Sequence, residues 1–255
     1  MQKKRQAVLY SAVFAAVAVP IAVFLPGRSV VHDDPWAHLP ERPLHTDHTD
    51  LLKGPFPDGP SVTKACLACH ENAAGEVAHT VHFTWQAPPV PAPGRAEPVA
   101  LGKKNALNNF CIGIQSNWPS CTSCHAGYGW TDGSYDFSDS TKVDCLVCHD
   151  RSGTYVKTKG GLPAEGVDLL AAARSVGSPG RDNCGGCHFS GGGGNAVKHG
   201  DLDATLLHPT ERRDVHMGRY GFVCTDCHRT EQHVIAGRAM SVSVDDAGGA
   251  ACTDC

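Results

Sequence analysis

Five repeats of Cys-x-x-Cys-His constrain this 255-residue chain more tightly than any hydrophobic pattern in it. They are Cys66-Leu-Ala-Cys69-His70, Cys121-Thr-Ser-Cys124-His125, Cys145-Leu-Val-Cys148-His149, Cys184-Gly-Gly-Cys187-His188 and Cys224-Thr-Asp-Cys227-His228. Two thiols one helical turn apart can add across the two vinyl groups of one porphyrin. The adjacent histidine then stands under the iron as an axial ligand. With 13 Cys and 15 His in the chain, roughly 0.04 such motifs are expected by chance. Zinc ribbons use the same cysteine pairs, but they leave five adjacent histidines without a purpose. A secreted disulfide framework predicts an even cysteine count and no histidine at a fixed offset. The motifs therefore imply covalently attached haem c at five complete sites, with the adjacent His70, His125, His149, His188 and His228 offered to the irons. The last residues, Cys252-Thr-Asp-Cys255, are the front of a sixth motif, so the expectation is a fragment with at least one further haem beyond it.

Composition agrees. Aromatic residues make up 7% of the chain, beside 28 Gly and 17 Pro, which leaves a thin protein core for cofactors to complete. A net charge of −4 without a basic block argues against nucleic acid as a partner.

Lys3, Lys4 and Arg5 precede an apolar run from Ala7 to Leu25, so residues 1–26 read as an export signal or a retained membrane anchor. Either implies a periplasmic location or the outer face of the cytoplasmic membrane. Residues 27–60, rich in Pro, His and Asp, read as an extended arm, and 61–255 as the multihaem domain. Short helices are predicted at Val77–Trp85, Val167–Ala173 and Gly218–Cys227, with no alternating strand series. The expected fold is mainly α with extensive irregular coil, wrapped around stacked c-type haems. Glycines 191 to 194 lack the Lys-Ser/Thr of a phosphate loop and read as backbone passing close to a porphyrin face.

Low-spin electron-transfer haems take a second histidine on the far side of the iron. His48, His79, His82, His199, His216 and His233 are the candidates, with His79 and His82 expected on one face of a helix. Which histidine serves which haem is not written in the spacing.

Around the second and third motifs the sequence becomes more specific. Gly102-Lys-Lys-Asn-Ala-Leu-Asn-Asn-Phe-Cys111 leads through Trp118 into the second motif and on to Ala126-Gly-Tyr-Gly-Trp130. Asp136-Phe-Ser-Asp139-Ser-Thr-Lys142-Val-Asp then leads into the third. With Asn183 to Gly200 and Asp214-Val-His-Met217, these segments resemble the octahaem tetrathionate reductases, relatives of multihaem nitrite reductases and hydroxylamine oxidoreductases. The likeness runs from about His48 to the end and is strongest from Lys103 to Asp150. It implies eight haems in the whole protein. It also implies an active-site haem, held here by Cys121 and Cys124, with a lysine ligand and one open iron face. Lys142 matches that lysine, Asp139 an active-site acid, and Cys111 a free thiol near the site. The resemblance leaves the role of His125 open.

Read without the resemblance, these residues are less distinctive. A lysine ligates iron only when neutral, which requires burial or contact with the metal, and Lys142 alone could be a solvated lysine or a partner of a haem propionate. Asp139 alone is a loop acid, and Cys111 alone a structural thiol or an intermolecular disulfide partner. The function implied is two-electron reduction of tetrathionate to two thiosulfates, with nitrite and hydroxylamine as further substrates. The partners implied are a small anionic or nitrogen/sulfur oxo-substrate and a cytochrome or quinol-linked redox partner. Two alternatives stand beside it: an electron-transfer cytochrome with two histidines on every iron, and hydroxylamine oxidation. None of the five tyrosines stands out as the cross-linking donor that the oxidation usually brings.

Overall fold

The structure, a computed structural model, describes residues 6, 10, 13–21, 44–105, 113–189, 191, 193–197 and 201–237. The chain forms two compact units, residues 1–44 and 45–255. In the first, residues 13–21 are helical. Among the described residues no helix is long and apolar enough to cross a membrane.

The second unit is built of short helices joined by irregular chain. Helix α1, Gly59–Leu67, starts where Asp58 accepts from the Ser61 amide at 2.8 Å and the Ser61 hydroxyl accepts from the Asp58 amide, with proline in the first turn. It buries Val62 with Leu146, Leu169, Ala172 and Ala173, the main aliphatic core. Leu52 and Phe56 pack on that core, and Arg174 donates twice to the Leu52 carbonyl, so the last part of the arm lies against the body.

The sequence predicts one helix over 77–85, and the structure breaks it into α2, Ala73–Ala78, and α3, Val81–Thr84. Thr80 makes the break: its hydroxyl donates to the Val77 carbonyl at 2.8 Å and its backbone turns extended (φ −82°, ψ 157°). A short polar side chain that satisfies backbone groups competes with the helix ladder. His79 and His82 therefore do not share a helix face.

Downstream come α4, Trp118–Cys121, α5, Leu146–His149, α6, Leu169–Arg174, and α7, Arg181–His188. The Asp168 carboxylate caps α6 through the Leu170 and Ala171 amides, within the segment expected to be helical. The helix expected over 218–227 is instead two, α8, Val215–Arg219, and α9, Cys224–Cys227, separated where Gly221 takes φ +71°. Regular strand is limited, among the described residues, to β1, Thr230–Glu231, paired antiparallel with β2, Val234–Ile235. The architecture is mainly α with extensive coil.

A second core is aromatic. Trp85, Ile114, Cys121 and Trp130 are buried with Trp118, Tyr135 and Phe137 packed against them, and Phe83 with Val143 continues it. It lies under the second motif.

Candidate functional site

Four of the five complete motifs share one local geometry. The histidine amide donates back to the first cysteine carbonyl in His70 to Cys66 (2.9 Å), His149 to Cys145 (3.1 Å) and His228 to Cys224 (2.8 Å), and His188 ends α7. This is one α-turn, and it sets the imidazole beside the two thiols. The thiols stand where thioether links to a porphyrin would form.

Three of these motif histidines lie close to a second imidazole. The ring centres of His48 and His70 are 6.3 Å apart, those of His82 and His188 6.2 Å, and those of His149 and His233 6.4 Å. Two imidazoles on opposite sides of one iron, each nitrogen about 2 Å from the metal, have ring centres roughly 6 Å apart. The residues present thus fit haem iron. Nδ1 is engaged in several of them: His48 with the Thr46 carbonyl (2.7 Å), His149 with Gly177 (2.9 Å), His228 with Ala236 (2.9 Å) and His233 with the Glu76 carboxylate (2.7 Å). Donation from Nδ1 leaves the Nε2 lone pair for a metal. His79 is exposed at the end of α2, and His216 packs its ring on Phe222. His199, Cys111, Cys252 and Cys255 lie outside the described residues.

The second motif is different. Its turn tightens to a 3₁₀ form over Thr122–Cys124, and the His125 amide donates to Thr122 instead of Cys121, at 3.0 Å. The ring of His125 is fully buried in a cage of Phe83, Trp85, Trp130, Tyr135 and Phe137, with centres 4.7 to 6.2 Å away. Here Nε2 donates to the Phe83 carbonyl at 2.6 Å, and Nδ1 is buried without a hydrogen-bond partner. Burial above all lowers the His125 pKa to about 4, so the ring is neutral. The nitrogen that would ligate is occupied by a carbonyl.

Lys142 ends a 3₁₀ turn over Ser140–Lys142, half-buried, with Nζ 4.8 Å from the Tyr135 ring centre. Asp139 starts that turn, accepting from the Thr141 amide at 3.0 Å and hydroxyl at 2.7 Å. The Lys142 carbonyl accepts from the Tyr128 amide at 2.8 Å, next to the Gly127–Val143 bridge. Lys142 and Asp139 thus sit beside the cage that holds His125. Burial and the Asp139 charge push the Tyr135 phenol well above its usual range.

The motifs touch in a definite order. The thiols of Cys66 and Cys145 lie beside each other, as do those of Cys184 and Cys224 and those of Cys124 and Cys187, where the Cys187 thiol donates to the Cys124 carbonyl at 3.7 Å. Asn183 ties the third motif to the fourth by donating to the Asp150 carbonyl at 2.9 Å. A cleft of about 260 Å³ opens between them, lined by Cys124, Val147, Tyr155, Lys157, Asn183 and Cys187.

No protein-family model matches the chain. An uncharacterised protein of Archaeoglobus fulgidus is 24% identical over 222 residues, which cover 67% of this chain and 74% of that one. Among solved structures, the octahaem cytochrome c of Shewanella oneidensis is 51% identical with a TM-score of 0.70, covering 78% of this chain and 44% of that one. This is the fold of a multihaem c-type cytochrome. The chain spans less than half the length of the solved cytochrome it matches.

In this multihaem cytochrome fold, sequence reasoning missed the aromatic cage and a buried lysine–carboxylate pair. Lys157 Nζ lies 2.5 Å from Asp144 Oδ2, with side chains 7% and 0% exposed. Nothing in the spacing of Tyr155-Val-Lys157-Thr marks that lysine. Asp144, immediately before Cys145, carried a positional signal, because it caps the third motif by accepting from the Val147 amide at 3.1 Å.

Proposed function

We propose that the chain carries haem c at its five complete motifs and forms the catalytic part of a multihaem reductase whose active site is at the second motif. The observation carrying this reading is the contrast between motifs. His70, His149 and His188 each lie close to a second histidine at an iron-sized spacing, while His125 is turned into an aromatic cage with Nε2 bonded to Phe83. An iron held at Cys121 and Cys124 would lack its motif histidine, and Lys142, beside the same cage, would take its place.

Haem c supplies one-electron relays and, at the second motif, an iron coordination site. The chain supplies the rest. His48 and His70, His82 and His188, and His149 and His233 would hold three irons, and two histidines on each would suit those haems to relay electrons. Adjacent thiols link motif one to three and motif four to both two and five, and Asn183 links three to four, so haems held at these motifs would lie near enough for electrons to pass between neighbours and reach the second. Lys103 and Lys104 lie over the outer rings of the cage, with Nζ 4.3 Å from the Trp85 centre and 4.1 Å from the Phe137 centre. These ammonium groups suit an anionic substrate. Tetrathionate fits: two electrons break its central sulfur–sulfur bond and release two thiosulfates. Nitrite and hydroxylamine are the further substrates of this reading.

The three histidine pairs also favour a second reading, an electron-transfer cytochrome. Rapid mixing of the reduced full-length protein with tetrathionate, nitrite or hydroxylamine separates the two. Fast haem reoxidation, slowed about 100-fold in Lys142→Ala, supports the reductase. No reoxidation by any of the three leaves the relay alone.

A further inference from the structure

The four other complete motifs present their histidine on an α-turn, so ligation by the adjacent histidine is what Cys-x-x-Cys-His does by default. Something must hold His125 back. The backbone carbonyls on both sides of Ala126 are gripped by one ammonium group: Lys157 Nζ donates to the His125 carbonyl at 2.6 Å and the Gly127 carbonyl at 3.2 Å. Its third bond is to Asp144, at 2.5 Å. Asp144 is itself fixed by the hydroxyls of Tyr128 (2.8 Å) and Tyr155 (2.9 Å) and by the first turn of α5. Every partner is buried or half-buried, so water competes little for these bonds. The segment is held from the other side as well. The Ala126 amide donates to His82, the Asp144 amide to Ala126 and the Tyr128 amide to Lys142. Gly127 is needed here, because a Cβ on it would lie 2.8 Å from His125 Cε1, Phe83 Cε2 and Tyr135 Oη.

We propose that the buried Lys157–Asp144 pair is a latch that keeps the His125 imidazole off the iron of the second haem, leaving that iron to Lys142 and one open face. Lys157 and Asp144 are positioning residues, since neither touches the reacting atoms. The same strand bridge joins both halves of the device: residues 126–128 hold the rejected histidine and residues 142–144 hold the lysine and the latch carboxylate. The proposal rests on the reading of an open second-motif iron given above.

The test uses the full-length, haem-loaded protein and reads the ferric high-spin signal by electron paramagnetic resonance, with cyanide as the probe of an open iron. Wild type is expected to show one high-spin, cyanide-binding haem. In Lys157→Met, His125 is released and that signal is expected to fall at least fivefold in favour of a low-spin one. Lys157→Met combined with His125→Phe is expected to recover it, because the competing imidazole is gone and the cage accepts a phenyl ring. A signal unchanged in Lys157→Met, or lost there and not recovered in the double variant, overturns the latch alone. A wild type with no high-spin haem removes the open site and the latch with it. Should Lys157→Met yield no loaded protein, Asp144→Asn carries the same test, since it removes the charge that holds Lys157 while keeping the side-chain shape; its one oxygen accepts from one tyrosine hydroxyl and its NH2 donates to the other.

Discussion

His82 and His188 lie with ring centres 6.2 Å apart, although one begins beside the first motif and the other closes the fourth. The same spacing joins His48 to His70 and His149 to His233. Replacing the partner that lies outside a motif should open one iron without detaching its porphyrin. His48→Ala, His82→Ala and His233→Ala are each expected to convert one ferric haem from low to high spin. His79→Ala and His216→Ala are expected to convert none. Electron paramagnetic resonance of the five variants checks both halves, and a high-spin haem in His79→Ala would break the pairing.

The ammonium groups over the aromatic cage should act on charge. Lys103 and Lys104 are placed by backbone: the Lys104 amide donates to the Trp85 carbonyl at 3.2 Å, and Gly102 lies so close to Trp85 that a Cβ would overlap its carbonyl. Lys103→Gln with Lys104→Gln is expected to raise KM for tetrathionate or nitrite about tenfold with little change in kcat. KM for hydroxylamine, uncharged at pH 8, is expected to stay within about twofold. Steady-state assays on the three substrates decide it, and an equal rise for all would point to lost packing.

The five motifs were legible because covalent attachment dictates both residue type and spacing within one helical turn. The fold class followed from how little core the chain can make for itself. Helices that a single cap decides, such as the one capped by Asp168, were also legible. The distal pairing was not, because His82 and His188 meet only through tertiary packing. The split at Thr80 was hidden because a threonine hydroxyl can serve a helix or interrupt it, and only the neighbouring geometry selects. His125 shows the limit most clearly. Its motif carries the same two cysteines and histidine as the other four, and what sets it apart is Lys157 on a distant loop and a glycine that lets the ring fold back.

Burial of a neutral His125 makes stability depend on pH. Its folded pKa is lowered from 6.5 to about 4, chiefly by desolvation, with Lys157 adding to the shift and Asp144 and the Phe83 carbonyl opposing it. The unfolded state therefore binds the extra proton first as pH falls. The contribution is complete above pH 6.5 and is lost as pH drops toward 4. The loss is on the order of 2 kcal/mol by pH 5. Urea titrations of wild type and His125→Gln at pH 7.5 and 5 are expected to show a smaller fall for the variant. Equal falls would mean that the imidazole is not held neutral.

Arg181 gives the last prediction. Its guanidinium donates from Nε to the Phe222 carbonyl at 2.9 Å, from Nη1 to Leu207 at 3.2 Å and from Nη2 to Met217 at 3.1 Å. One planar fork at the start of α7 thereby gathers three turns of otherwise irregular chain around the fifth motif. Carbonyls bonded to a charged donor in a half-buried setting are costly to orphan, so Arg181→Met is expected to destabilise this region by about 3 kcal/mol. Arg181→Lys should recover less than half of that, because an ammonium on a flexible stem cannot match three acceptors set for a fork. Amide hydrogen exchange over residues 207–227 is the direct readout. Faster exchange confined to that stretch, with α1 and α6 unchanged, identifies Arg181 as its clamp, and uniform acceleration would place its role in the whole unit.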